Sequence, residues 1–308
     1  MKKDPPIGLS VVVPIFNEEE SLPRLYASIR NACEEVKQNY EIIFIDDGSR
    51  DRSFTTLEAL HQEDPHVKVI RFRKNYGQTA AMAAGFRAAR GDVVVSMDGD
   101  LQNDPADIPR LLAKIDEGFD VVCGWRKDRK DKLVSRKIPS RIANWIIGKI
   151  TRVPIHDNGC SLKAYRKKII KQVSLYAELH RFIPAMSSLA GARIAEIVVT
   201  HHARQFGVSK YGISRVWKVF SDLFLIKLLT GFASRPSLWF GVGALFAFLL
   251  GVGSLAGGMS AGVFHITFPT VALLFFSLAG HLLVMGIVGE VIVDAGNYRP
   301  AKMIVAQD

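Results

Sequence analysis

The chain of 308 residues is poor in cysteine, and what it has follows no metal-ligand or disulfide-framework spacing. Cys33, Cys123 and Cys160 stand far apart in the chain, and their odd number argues against a stapled secreted scaffold. They are expected to be reduced thiols in a cytosolic compartment. The dinucleotide fingerprint G-x-G-x-x-G is absent, as are the phosphate-cradling G-x-x-x-x-G-K-[ST] and the zinc motif H-E-x-x-H. Any nucleotide bound here must have its phosphates neutralised by other means. The N-terminal "MKKDPPIGLS" has no apolar core of a signal peptide, so no cleaved secretory signal is expected.

Charge is missing from one long stretch. From Pro236 to Gly289, 54 residues contain no Asp, Glu, Lys or Arg. That is too long for one membrane span of roughly 20 helical residues. Two spans are expected, Pro236–Gly258 and Phe268–Val293, joined by the short "MSAGVFHIT". Lys218, Lys227 and Arg235 precede the pair, Arg299 and Lys302 follow it, and the connection carries no charge, which places both ends in the cytoplasm. Gly241, Gly243, Gly251 and Gly253 suit close helix packing, either within this hairpin or between copies in a homo-oligomer. His281, inside the second span, is expected to hydrogen-bond to the neighbouring helix. Before the spans, Ile213–Phe232 places Ile213, Val216, Trp217, Phe220, Leu223 and Phe224 at helical spacing. This reads as an amphipathic helix, lying in the membrane interface or packed on the preceding domain.

Positive charge is plentiful and unevenly placed. The formal net charge is +10, and ten Lys/Arg against two Asp between Arg126 and Arg152 concentrate about eight of those charges in 27 residues. Such a block suits nucleic acid, an anionic membrane or a phosphorylated ligand. Aromatics do not interleave it and it adjoins a membrane anchor, which argues against nucleic acid.

The first two thirds of the chain alternate apolar runs with helical patterns. Strands are expected at Leu9–Ile15, Glu41–Ile45, Val67–Phe72, Asp92–Met97 and Asp120–Gly124. Helices are expected at Glu18–Lys37, from Asp51 to about Asp64, at Gln78–Arg90 and at Pro105–Glu117. This order implies an α/β domain with a mostly parallel sheet and helices on both faces, binding ligands at the carboxyl ends of its strands. The polar clusters fall at that edge: "PIFNEEE", "DDGSRD", "RKNYGQ" and "DGDLQNDP" each end a strand. One such cluster is ordinary turn chemistry; four in succession indicate a binding site. Asp98 and Asp100, one on each side of Gly99, suit a hard divalent cation whose remaining ligands come from substrate phosphates. The intervening glycine permits close approach of a ligand to the backbone.

Taken in order, "VVVPIFNEEESL", "EIIFIDDGSRDRS", "RKNYGQTAAMAAGF" and "MDGDLQNDP" resemble the motifs of family-two glycosyltransferases of the GT-A fold, a Rossmann-like α/β architecture. The likeness extends to the polyisoprenyl-phosphate glycosyltransferases over Leu9 to about Tyr211, and the hairpin matches their bacterial branch. The resemblance implies that Pro14, Asn17, Glu18, Asp46, Asp47 and Gly77 line a nucleotide-sugar pocket with Asp98, Gly99 and Gln102. It implies that Asp100, with Asp98, ligates Mg2+ or Mn2+. "HDNGCSLKAYR" falls where the family carries D-x-x-S-G-F-R, giving Asp157 a catalytic place on the acceptor side, although Cys160 departs from that pattern. "RQFGVSKYG" resembles R-x-x-G-x-S-K-Y, which makes Arg204 a catalytic candidate. Ser209, Lys210 and Tyr211 become acceptor-phosphate contacts, and Arg126 joins them because it lies just beyond a strand end.

The implied layout is a cytoplasmic catalytic domain over residues 1–212 and an amphipathic helix over 213–234. Two spans follow within 235–294, and a cytoplasmic tail occupies 295–308. The implied reaction is inverting transfer of a hexose, glucose from UDP-glucose being favoured and mannose or an aminosugar being alternatives, to undecaprenyl phosphate at the bacterial inner membrane. A lipid-sugar flippase and a second glycosyltransferase are the expected downstream partners. A processive polysaccharide synthase fits less well, because Q-x-x-R-W is absent and two spans build no channel. A non-catalytic adaptor binding nucleotide sugar or anionic lipid is the remaining alternative, against which the intact acidic pair argues.

Overall fold

Each predicted apolar run becomes a strand, because β-branched side chains fit a pleated surface covered on both faces. The computed structural model describes residues 7–127, 148, 153, 155–173, 179–189, 191–203, 235–260 and 266–295. Strands β1 (Leu9–Ile15), β2 (Tyr40–Asp46), β3 (Val67–Arg71), β4 (Val93–Ser96) and β5 (Val121–Trp125) follow the expected runs closely. Two further strands, β6 (Lys163–Arg166) and β7 (Ile194–Val198), complete a seven-stranded sheet of order β3-β2-β1-β4-β6-β5-β7. Only β6 runs antiparallel to its neighbours. The carboxyl ends of β1 to β5 and β7 therefore share one edge with the entry into β6.

Helices α1 (Leu22–Val36), α2 (Ser53–Glu63), α3 (Gln78–Ala88) and α4 (Ile108–Asp116) connect the parallel strands, with the short α5 (Lys167–Ile170) and α6 (Ile183–Leu189) beyond them. In α1 the residues Leu22, Leu25, Ile29, Ala32 and Cys33 recur at the helical period and are buried. The helix stops at Lys37, whose φ of 55° is left-handed. α3 sits so close to the sheet that a Cβ on Gly85 would fall 2.3 Å from Val12 Cγ1. β1 and β4 divide the core, one cluster holding Val11, Val13, Leu25 and Leu111 and the other Val12, Ile43, Met82 and Phe86. All three cysteines are buried free thiols, with pKa values pushed up by burial to about 12, 12 and 11 for Cys33, Cys123 and Cys160.

One buried charge ties three strands and a loop together. Glu41 accepts from Ser10 Oγ at 2.6 Å, Lys68 Nζ at 2.5 Å and the Arg90 N–H at 2.7 Å. Burial pushes its carboxyl up, but the bonds from Lys68, Ser10 and Arg90 outweigh burial, and the pKa falls below the usual value. Stability from this group is fully present above the ordinary carboxylate range and is lost as pH falls through the lowered value. Glu41→Gln is expected to cost about 1–3 kcal/mol at neutral pH and less in acid. Thermal unfolding at both pH values checks this; an equal loss at both would remove the role of the charge.

The chain divides into two compact units, Met1–Asp222 and Leu223–Asp308. In the second, α7 (Pro236–Ser260) and α8 (Thr267–Ala295) have mean hydropathies of 2.0 and 2.4 and are long enough to cross a membrane. Small residues face inward, Ala244, Ala247 and Gly251 on α7 and Ala272, Ala279 and Gly286 on α8. Phe276 lies over Gly251, 2.6 Å from where a Cβ would stand. Gly241 and Gly253 meet nothing within 4 Å, and Gly243 is 3.5 Å from Leu282, so of the four glycines Gly251 alone makes a tight intrachain contact. His281 corrects an expectation: its Nδ1 donates to the Ser277 carbonyl one turn back in its own helix, at 2.8 Å. The expected amphipathic helix at 213–232 and the tail at 296–308 lie outside the described residues.

Candidate active site

The loops after β1 and β2 are stitched to each other. Asn17, at a positive φ of 53°, donates its backbone N–H to Ser49 Oγ at 3.0 Å and accepts the Arg50 N–H on its side chain at 2.8 Å. The Glu18 N–H donates to Ser53 Oγ at 2.8 Å. Asp46 closes β2 with its carboxylate fully buried, taking the Ser49 N–H at 3.1 Å and facing Arg71 Nε at 3.8 Å. Asp47 accepts the N–H groups of Tyr76 and Gly77 at 2.7 and 2.8 Å. Burial, opposed by those bonds and reinforced by Asp46, raises its pKa. Asp47 thus anchors the loop entering α3. A cavity of about 540 Å3 opens beside these loops, lined by Phe16 and Ser49 and by the cations Arg50, Arg71, Arg73 and Lys74.

At the end of β4 the acidic pair lies in a bent segment. Gln78, first residue of α3, donates Nε2 to Asp98 Oδ1 at 2.6 Å, and the Asp98 N–H donates to Ser161 Oγ at 3.2 Å. Leu101 has a φ of 59°, an uncommon and costly backbone for leucine, and the following Gln102 N–H turns back to Asp100 Oδ1 at 3.2 Å. Burial foremost, then the charge of Asp100, lifts the Asp98 pKa to about 6, with Arg126 and Lys163 pulling the other way. Two carboxylates held that close in a desolvated pocket are an apt donor pair for a hard cation. Among the described residues no group of three His, Cys, Asp or Glu forms a complete protein cage. The donor chemistry of the pair fits a hard divalent cation that takes its remaining ligands from elsewhere. Gly99 has a packing reason as well: a Cβ there would lie 2.6 Å from Ile15 Cδ1 and 3.3 Å from the Pro14 carbonyl.

On the other half of the edge, Arg126 and Asp157 form one unit. Arg126 donates Nε to Asp157 Oδ2 at 2.7 Å and a terminal nitrogen to Oδ1 at 3.0 Å. Their side chains are 12% and 4% exposed, so the pair is desolvated. The Asp157 N–H in turn donates to Glu196 Oε1 on β7 at 3.0 Å. The residues expected at separate positions as acceptor contact and catalytic carboxylate are thus brought into a two-pronged ion pair.

Arg204, Ser209, Lys210 and Tyr211 lie outside the described residues. The described chain runs up to them along the acidic loop. Asn103 and His201 form a β-bridge, the His202 N–H donates to the Gln102 carbonyl at 2.8 Å, and His202 Nε2 is 2.9 Å from Asp104 Oδ2.

Sequence reasoning missed Gln78 and Lys163. Lys163 is 3% exposed, its ammonium donating to the carbonyls of Asn158 at 3.1 Å and of Cys160. A lysine in the apolar pattern "SLKAY" was the available signal, since a charge in a buried strand requires partners.

The profile of "Glycosyl transferase family 2" matches residues 10–174. The chain belongs to that family. It is similar to the dodecaprenyl-phosphate galacturonate synthase of Rhizobium johnstonii, 46% identical over 254 residues, covering 81% of this chain and 74% of that protein. It is also similar to the undecaprenyl-phosphate 4-deoxy-4-formamido-L-arabinose transferase of Pseudomonas fluorescens, 39% identical over 295 residues, covering 94% and 86%. Among solved structures it resembles glucosyl-3-phosphoglycerate synthase from Mycobacterium tuberculosis in complex with Mn2+, UDP and phosphoglyceric acid. That match has a TM-score of 0.56 at 17% identity, over 73% of this chain and 78% of that one, and establishes the fold as GT-A. The protein is a glycosyltransferase, which removes the adaptor alternative.

Proposed function

We propose that this glycosyltransferase moves a sugar from a nucleotide diphosphate to a polyprenyl phosphate at the cytoplasmic face of the bacterial inner membrane. Support comes from one arrangement: a cationic cavity with an aromatic wall, a carboxylate pair and a buried Arg–Asp unit follow one another along a single sheet edge. The cavity beside Asn17, Asp46 and Asp47 receives the nucleoside. Asp98 and Asp100 face the diphosphate, and Arg126 faces the acceptor. The two apolar helices form a multi-pass anchor with both termini cytoplasmic, and the lipid-linked product passes to a flippase and a further glycosyltransferase.

The sugar expected from the resemblance is glucose from UDP-glucose. Two relatives are named for galacturonate and for 4-deoxy-4-formamido-L-arabinose, which supports testing those sugars first, galacturonate having the higher identity.

In the reaction, an acceptor phosphate oxygen attacks the anomeric carbon as the bond to the nucleotide diphosphate breaks, inverting the centre. The phosphate has a second pKa near 6 and is largely deprotonated at pH 7, so no strong base is required. Asp157, already gripped by Arg126 on both oxygens, orients that guanidinium rather than collecting a proton. A divalent ion held by Asp98 and Asp100 would supply neutralisation of the leaving diphosphate.

The test is transfer of radiolabelled sugar to undecaprenyl phosphate by the purified full-length protein in detergent. UDP-galacturonate, the nucleotide-linked formamidoarabinose and UDP-glucose would be compared, with Mg2+ or Mn2+ and with chelator. A chelator-sensitive glycolipid is the expected product. Turnover of these donors, and of a wider panel of UDP- and GDP-sugars, onto water or a soluble acceptor but never onto the lipid would overturn the acceptor assignment.

A further inference from the structure

The acceptor half of the edge carries a second constellation that the reaction above leaves unused. His156 stacks on Trp125, the last residue of β5, with ring centroids 4.3 Å apart and planes 16° from parallel. Its Nδ1 lies 2.7 Å from Glu196 Oε2, and its backbone N–H donates to the same carboxylate at 3.0 and 3.2 Å. Glu196 is 11% exposed, whereas the His156 side chain is 66% exposed. Lys127 adds a cation 5.8 Å from the Trp125 ring centroid. A solvent-facing imidazole is thus held by a buried carboxylate and an aromatic plane, and the His156 backbone N–H bonds the same carboxylate. An exposed histidine with no task has no need of such fixing.

Sheet register and one hydrogen bond put this constellation on the same face as Asp98. Ser96, Lys163, Cys123 and Glu196 are paired in one row across β4, β6, β5 and β7. Paired residues point to one face, and a period of two brings Trp125 to that face one step further along. Asp98, beyond the end of β4, bonds to Gln78 at the start of α3, whose Met82 and Phe86 pack on that face with Cys123. The cationic cavity lies on the opposite side of β4, at the ends of β1 to β3. A donor reaching from that cavity to Asp98 leaves the β5–β7 side for the acceptor. His156 also directly precedes Asp157, so it neighbours the Arg126 unit in the chain.

We propose that His156 is an acceptor-binding residue whose imidazole contacts the phosphate of the lipid acceptor, with Glu196 as its positioning residue. The inference rests on the acceptor class proposed above. Glu196 serves both neighbours at once, His156 through ring and backbone and Asp157 through its N–H. It therefore sets the spacing between the imidazole and the Arg126 guanidinium.

Farnesyl phosphate, a short-chain acceptor, is the probe. Its binding to the purified full-length protein in detergent would be measured by calorimetry, with UDP binding measured in parallel. His156→Ala is expected to weaken farnesyl phosphate binding roughly 10-fold, the size of one charge-assisted hydrogen bond, while UDP binding stays unchanged. Glu196→Gln should move binding in the same direction by a smaller factor, because an amide accepts fewer N–H groups, and should again spare UDP. A merely structural role would weaken both ligands together. Wild-type protein that binds farnesyl phosphate, beside a His156→Ala variant with the same Kd, would overturn this inference alone. Wild-type protein that binds UDP and no farnesyl phosphate would overturn the acceptor class and this inference with it.

Discussion

Asp100→Asn is expected to lower sugar transfer by about a thousandfold while leaving the fold intact. The size follows from the loss of charge stabilisation where the leaving diphosphate becomes more negative, a contribution of roughly 10²–10³ for one preorganised group in comparable sites. The fold should survive because Asp100→Asn is nearly isosteric and an asparagine oxygen can still accept the Gln102 N–H, which Asp100 takes at 3.2 Å. The neighbouring Asp98 is a poorer test. It is bonded to Gln78 Nε2 on α3 and its N–H to Ser161 ahead of β6, so substitution there disturbs two elements together. Two readings should move jointly in Asp100→Asn: turnover, and Mn2+ binding in the presence of UDP followed by electron paramagnetic resonance. Retention of a tenth of wild-type turnover with weakened Mn2+ binding would separate the metal from the rate. Intact Mn2+ binding would remove Asp100 from the metal site.

That site was legible where its chemistry sits at the ends of locally encoded strands. The run "VVVSM" is rich in β-branched residues and acids follow it, so both the strand and the acidic turn after it could be read from thirteen contiguous residues. The same holds for "EIIFIDD", all of whose residues from Glu41 to Asp46 are buried in β2. What escaped reading depends on contacts distant in sequence. β6 is four residues long, carries a buried lysine and inserts antiparallel between β4 and β5, so neither length nor alternation marks it. β7 hides Glu196 in "IAEIV", where the acid looks like a solvent-facing position until the 155–157 segment arrives to use it. Asp47 also accepts two backbone N–H groups from the α3 entry, a task that its place beside Asp46 does not display. Gly99 likewise has a role in packing that no local pattern displays, because Ile15 lies on another strand.

The Arg126–Asp157 unit joins residues 31 apart in sequence, and its largest test separates folding from catalysis. Arg126→Met alone is expected to destabilise the protein by about 3–5 kcal/mol, since it leaves the Asp157 carboxylate buried without its cation. Asp157→Leu alone should cost a similar amount for the converse reason. The double variant Arg126→Met/Asp157→Leu places apolar groups of similar volume against each other, and such replacements are often neutral for stability. It should therefore recover most of the lost stability in denaturant unfolding, while transfer remains at least a hundredfold below wild type. Asp157→Asn completes the set. It keeps an acceptor for Arg126 and removes any capacity to take a proton, so it should retain more turnover than Arg126→Met at every pH. If Asp157→Asn instead fell below the double variant, proton removal by that carboxylate would replace orientation as its role. If the double variant regained activity together with stability, the pair would be structural, and the acceptor phosphate would have to be held elsewhere along the edge.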